Sequence, residues 1–181
     1  YMKILEVKKN LIGVREIIFN KSVFSCQVGS GGVISFCRKK EGDKCTPMGE
    51  WLLKTIYYRP DRINLIKLFP NSELTFKKIT KNCGWSDDHK SKCYNKYIEV
   101  IKNGVLHSYS YESLWREDQA YDICIEIDYN NNPVCSKKGS AIFLHCSFED
   151  LRATSGCIAV FKKNLIQIIS SMTEDTKIKI T

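Results

Sequence analysis

The chain has 181 residues, enough for one domain with its own core and short for two. Its 43% hydrophobic and 27% charged residues are those of an ordinary globular protein, and no apolar run nears the roughly 20 residues of a membrane-spanning helix. A net charge of +8 suits an anionic polymer as partner, but without a helix-turn-helix or RNA-binding signature nucleic acid is not the expected one.

Short β-rich runs open the chain: Lys3–Val7, Ile12–Phe19 and Ser22–Val28, with Asn10 and Asn20-Lys21 at the turns of a meander. Gly29-Ser30-Gly31-Gly32 lacks the Lys-Ser/Thr of a phosphate-binding loop and reads as a flexible turn before a strand at Val33–Phe36. Thr46-Pro47-Met48-Gly49 reads as a second turn, with proline presetting φ and glycine free to take positive φ, launching a strand over Glu50–Tyr58. From about 59 to 118 the chain is polar and broken by Pro60, Pro70, Asn82 and Gly84, which predicts a loop-rich insertion with one helical turn at Glu112–Trp115. Tyr121–Tyr129 alternates as a half-buried strand should. Ser140–His145 is apolar through its centre, as a strand buried on both faces would be. Leu165, Ile168, Ile169 and Met172 mark a short amphipathic helix, and Thr176–Thr181 alternates as an edge strand. No repeat or second domain is visible, so residues 1–181 are expected to form one domain, and a monomer.

Nine cysteines, an odd number, leave one unpaired even if every other is oxidised. No Cys-x2-Cys is present, and Cys83, His89 and Cys93 are too few and too irregularly spaced for a zinc site. Neither a metal nor a cofactor is expected. The chemistry instead gathers where Ala141-Ile142-Phe143-Leu144-His145 is followed by Thr154-Ser155-Gly156-Cys157-Ile158-Ala159. A buried strand would hold the imidazole, and a Ser-Gly-Cys corner would present a thiol to it. Cysteine acyl transfer needs such a thiol, a base in reach and backbone N–H groups for an oxyanion, here at Gly156 and Cys157. Cys146 directly follows the histidine and would point to the other side of the strand.

Lys44-Cys45-Thr46-Pro47-Met48-Gly49-Glu50-Trp51 reads Thr-Pro-x-Gly-x-aromatic, with Glu41-Gly42-Asp43 ahead of it. Together with His145 and Ser155-Gly156-Cys157-Ile158, these motifs resemble the L,D-transpeptidase catalytic domain, the YkuD family. Cys83-Gly84-Trp85-Ser86-Asp87-Asp88, Leu114-Trp115-Arg116-Glu117-Asp118 and Tyr121-Asp122 look like a Gram-negative branch of it. The likeness runs from about Met2 to Phe161. Two positions depart from the usual Ser-His-Gly-Cys-Ile/Val-Arg: Ser155 stands where most relatives have histidine, and Ala159 where they have arginine. The interval from His145 to Cys157 is also shorter than usual.

The resemblance implies a mainly β fold, a sandwich or open barrel with a few short helices. It implies Cys157 as nucleophile and His145 as base, with the ring oriented by the carbonyl of Cys146, and Ser155 and Gly156 completing the corner. A carbapenem would acylate the same cysteine. Trp85, Asp87, Asp88, Trp115, Arg116 and Asp118 are the candidates for a substrate cleft, with Arg116 gripping a stem-peptide carboxylate. The implied partner is the peptidoglycan stem peptide, and the implied location the periplasm or cell envelope of a Gram-negative bacterium, although no signal peptide is visible in this chain. Transfer to an amine acceptor is the first reading. Hydrolysis by an L,D-carboxypeptidase or amidase, and non-catalytic cell-wall binding, are the alternatives.

Overall fold

Leu5 and Val7 alternate with charged neighbours, and that alternation makes β1 (Ile4–Lys9) a strand with one face in the core. The computed structural model describes residues 2–181. β2 (Arg15–Phe19) and β3 (Ser22–Gln27) return antiparallel, each to its predecessor. Between them Asn20 and Lys21 both take positive φ, as a two-residue hairpin turn requires. The remaining strands are β4 (Val33–Ser35), β5 (Thr46–Tyr58), β6 (Phe76–Lys78), β7 (Cys83–Ser86), β8 (Lys96–Glu99), β9 (Ile101–Lys102), β10 (Val105–Leu106), β11 (Tyr111–Ser113), β12 (Ile123–Ile127), β13 (Phe143–Cys146), β14 (Ile158–Val160) and β15 (Lys177–Ile180). Two helices accompany them, α1 (Leu65–Leu68) and α2 (Lys162–Ser170). The fold is mainly β, as the sequence predicts.

The main sheet runs β12-β13-β14-β3-β2-β1-β15-β5-β4, and β5 pairs with β12 as well. The long strand β5 makes that closure. Its Gly49–Leu52 stretch lies against β15, and its Leu53–Tyr58 stretch lies against β12. The sheet therefore returns on itself like a barrel, and the core residues Leu5, Ile17, Ile56, Ile125, Leu144, Ile158 and Ile178 fill it. Leu165, Ile168 and Ile169 of α2 join the same core, so the predicted amphipathic face is the buried one.

Several expectations are corrected here. β15 is no edge: it lies between β1 and β5, parallel to the first and antiparallel to the second. Its alternation reads the same either way, because one face of the sheet is open to solvent in both cases. β12 is buried on both faces rather than one, since Cys124 enters a second apolar cluster with Tyr57, Trp85, Leu114 and Phe143. Thr46–Gly49 is not a turn but the start of β5, in parallel register with β4. Gly49 keeps positive φ there because the Trp51 ring stands 2.5 Å from where a Cβ would sit.

The stretch from 59 to 118 is mostly connecting segments, as its breakers predict, but it also holds short regular elements. It carries α1, β6, a three-stranded sheet β11-β7-β8 and the hairpin β9–β10. Glu112 lies in β11, paired with Trp85 of β7, so no helical turn forms there. A few widely spaced apolar residues, Ile79, Cys83, Trp85 and Leu114, hold this sheet onto β12 and β13. No helix among the described residues is long and apolar enough to cross a membrane.

Candidate active site

In β13 the side chains alternate sides. Leu144 and Cys146 enter the barrel core, while Phe143 packs in the second cluster and His145 opens towards it. His145 Nδ1 meets the carbonyl of Cys146 at 2.8 Å. A carbonyl only accepts, so Nδ1 carries the proton and Nε2 holds the free lone pair. β14 runs parallel to β13 with His145 opposite Ala159, which sets Cys157 just ahead of the strand beside Phe143. Cys157 Sγ donates to the Ala141 carbonyl at 3.2 Å and accepts from the Phe143 N–H at 3.4 Å. Cys157 and His145 open into one cavity of about 470 Å³.

The corner that carries the cysteine is tied down from three sides. Thr154 Oγ1 donates to the Cys157 carbonyl at 2.6 Å and accepts the Gly156 N–H at 3.1 Å. Thr46 Oγ1, fully buried, donates to the Gly156 carbonyl and accepts the Gly29 N–H, both at 2.8 Å. Gly31 N–H donates to the Lys44 carbonyl and Ser30 N–H to that of Thr154. A Cβ at Gly29 would stand 2.2 Å from the Lys44 carbonyl oxygen, and one at Gly31 would stand 2.6 Å from Cys45 Sγ. The glycine-rich segment is a turn, with the Gly32 N–H donating to the Gly29 carbonyl, and its Gly29 and Gly31 pack closely enough to form a platform beside the cysteine corner. Gly156, at φ +139, has the Cys45 carbonyl 3.0 Å from its Cβ position. Its N–H is already taken by Thr154, which leaves the Cys157 N–H as the uncommitted donor of this corner.

Burial sets the charge state. It pushes the Cys157 thiol up to about 12, helped by the nearby Glu112 carboxylate, and brings the His145 imidazole down to about 4. At neutral pH the site therefore rests as a thiol and a neutral imidazole, not as a thiolate–imidazolium pair. The Tyr121 ring stands edge-on to His145 at 5.3 Å between centroids, and its hydroxyl donates to Glu112 Oε1. Burial raises Glu112 above the usual carboxyl range.

The sequence-predicted cleft residues divide. Asp87 and Arg116 line the cavity, and Asp87 Oδ1 is buried without a partner. Ser155 is exposed at its wall. Trp85 lies outside, buried behind β13: its ring meets Phe143 edge-on at 5.0 Å and its Nε1 donates to Asn95. Trp115 is also outside, under the Arg59 guanidinium at 3.5 Å. Asp118 holds the fork of Arg116 through bonds of 2.8 and 2.6 Å, so that the guanidinium predicted to grip substrate is already gripped. Asp88 is partly exposed and absent from the cavity wall. Glu112, Lys39 and Arg152 line the cavity without having been site candidates in the sequence, and Tyr121 had entered only as part of a motif. Thr46 lay in a recognised motif, but its bond to the cysteine corner joins residues 110 apart in the chain and has no local signature.

Cys83 is bonded to Tyr97 and Thr80, away from the exposed His89 and Cys93. Among the described residues no group of three or more His, Cys, Asp and Glu side chains is placed to hold a metal. The family model described as the L,D-transpeptidase catalytic domain, YkuD, matches residues 15–180 of this chain. No curated protein and no solved structure matches it.

Proposed function

Because the chain belongs to the L,D-transpeptidase catalytic domain family, cysteine-dependent enzymes that act on peptidoglycan, we propose that it is an L,D-transpeptidase of the envelope with Cys157 as nucleophile. The observation that carries this reading is the pair itself. Cys157 and His145 stand at neighbouring parallel strands, open into one cavity, and the imidazole presents its unprotonated Nε2.

The neutral pair suits general-base attack. As Sγ bonds to the carbonyl carbon of the peptide bond after an L-centre, its proton passes to His145 Nε2. The oxyanion takes the Cys157 N–H. Collapse breaks the carbon–nitrogen bond, the imidazolium returns its proton to the departing amine, and a thioester on Cys157 remains. His145 then accepts a proton from an incoming stem-peptide amine, which attacks the thioester, forms the crosslink and restores the thiol. With water as acceptor the same steps give an L,D-carboxypeptidase. Ser155, exposed at the cavity wall, would meet the acyl chain. A periplasmic location in a Gram-negative cell accords with this reading.

The test is to incubate wild type and Cys157→Ala with a tetrapeptide stem and an amine acceptor and to weigh both peptides and protein. The expected result is loss of the terminal residue together with a crosslinked product, abolished in the variant, and a single carbapenem adduct on wild type alone. Trimmed peptide without crosslink would assign the hydrolase. Unchanged peptides and no adduct would overturn catalysis at this cysteine.

A further inference from the structure

We infer that Arg152 receives the carboxylate of the substrate's terminal residue and so confines the reaction to the last peptide bond of a stem. This rests on the proposed reaction. There His145 protonates the departing amine, and in a terminal residue the carboxylate is only two bonds from that nitrogen. The carboxylate must therefore lie on the imidazole side of the cavity, a residue's breadth from the ring.

Arg152 stands there, on the segment between His145 and Cys157. Its guanidinium lies 3.8 Å from the Phe148 ring centroid, and Phe148 faces His145 with centroids 6.1 Å apart. Phe148 and Arg152 both line the cavity. The other cations there are committed or less suited. Arg116 is held bidentately by Asp118. Lys39, buried, donates to Asp43 and to the Lys40 carbonyl. Lys44 has its main chain beside the glycine platform and offers a point-charge ammonium, without the planar fork that grips a carboxylate bidentately.

Arg152 has one ion-pair partner, Asp150 at 3.1 Å, and the two side chains are 56% and 59% exposed. Such a pair is worth little and yields readily to a ligand. The stack on Phe148 meanwhile holds the fork in place, leaving donors for a bidentate carboxylate.

The experiment measures kcat/KM of wild type and R152A on a tetrapeptide stem and on its C-terminal carboxamide twin. Wild type should prefer the acid, and R152A should lose about tenfold to a hundredfold on it, mostly through KM, as loss of charge-assisted hydrogen bonds predicts. The loss on the carboxamide should be much smaller, so that the preference collapses towards one. Equal loss on both peptides, no loss on either, or a wild type indifferent to the carboxylate would each overturn the assignment. Turnover of neither peptide by wild type would instead overturn the reading of the reaction, and the carboxylate site with it.

Discussion

At the scale of single residues, burial holds the Cys157 thiol and the His145 imidazole uncharged. With the imidazole near 4 and the thiol near 12, kcat/KM should stay level between about pH 5 and pH 9 and fall only as the base takes its proton below that range. The sign follows from the direction of the His145 shift: a lowered value means that acid, not alkali, removes the lone pair. Thiolate absorbance near neutrality, measured as wild type minus Cys157→Ala, should be absent. Its presence would contradict the neutral pair. Thr46 makes a second residue-scale prediction. Thr46→Val keeps the shape but strands the buried Gly29 N–H and Gly156 carbonyl. It should cost about 1–3 kcal/mol in urea unfolding, with Thr46→Ser recovering most of the loss. Equal stability of all three proteins would show that the hydroxyl ties nothing.

At the scale of elements, β5 and β15 decide whether the sheet closes. β15 joins β1 to β5, and Ile178 within it is wholly buried. Ile178→Ala should therefore destabilise by about 2–5 kcal/mol, the cost of a cavity in a packed core, read from the denaturant midpoint. A loss well below 1 kcal/mol would fit the edge strand that its sequence suggests and not this topology. The insertion acts through packing too. The Trp85 ring and the Tyr121 ring both stand edge-on to Phe143, and so brace the strand that carries His145. Trp85 thus contributes to the site from behind rather than from the cleft.

For the molecule as a whole, the nine cysteines fall into two populations. Cys37, Cys93 and Cys135 are exposed thiols, while the other six are buried. A native titration with an aromatic disulfide should count three fast thiols, and unfolding should release the rest. A larger fast count would mean that the barrel opens readily. Cys157 belongs to the slow group, because the cavity it lines leaves it only 8% exposed.

Local pattern was enough to read the meander, β13, α2 and the mainly β class, and to single out His145 and Cys157, which the fold brings to one cavity. Period and turn residues are encoded within a few positions of each other, and a motif names its residue types. The short strands within 59–118 were missed because their apolar residues are sparse and gain burial against β12 and β13. β15 was taken for an edge because alternation records a solvated face, not the number of neighbours. Trp115 and Arg116 were assigned to substrate on residue type, whereas their partners Arg59 and Asp118 arise from folding. The sequence by itself determined which strands could form and which thiol and imidazole could react. Only the tertiary structure decided that Thr46 and a packed glycine platform hold the thiol, that burial leaves the pair neutral, and that Arg152 is the cavity's available guanidinium. These depend on closing the barrel, which brings together residues far apart in the chain.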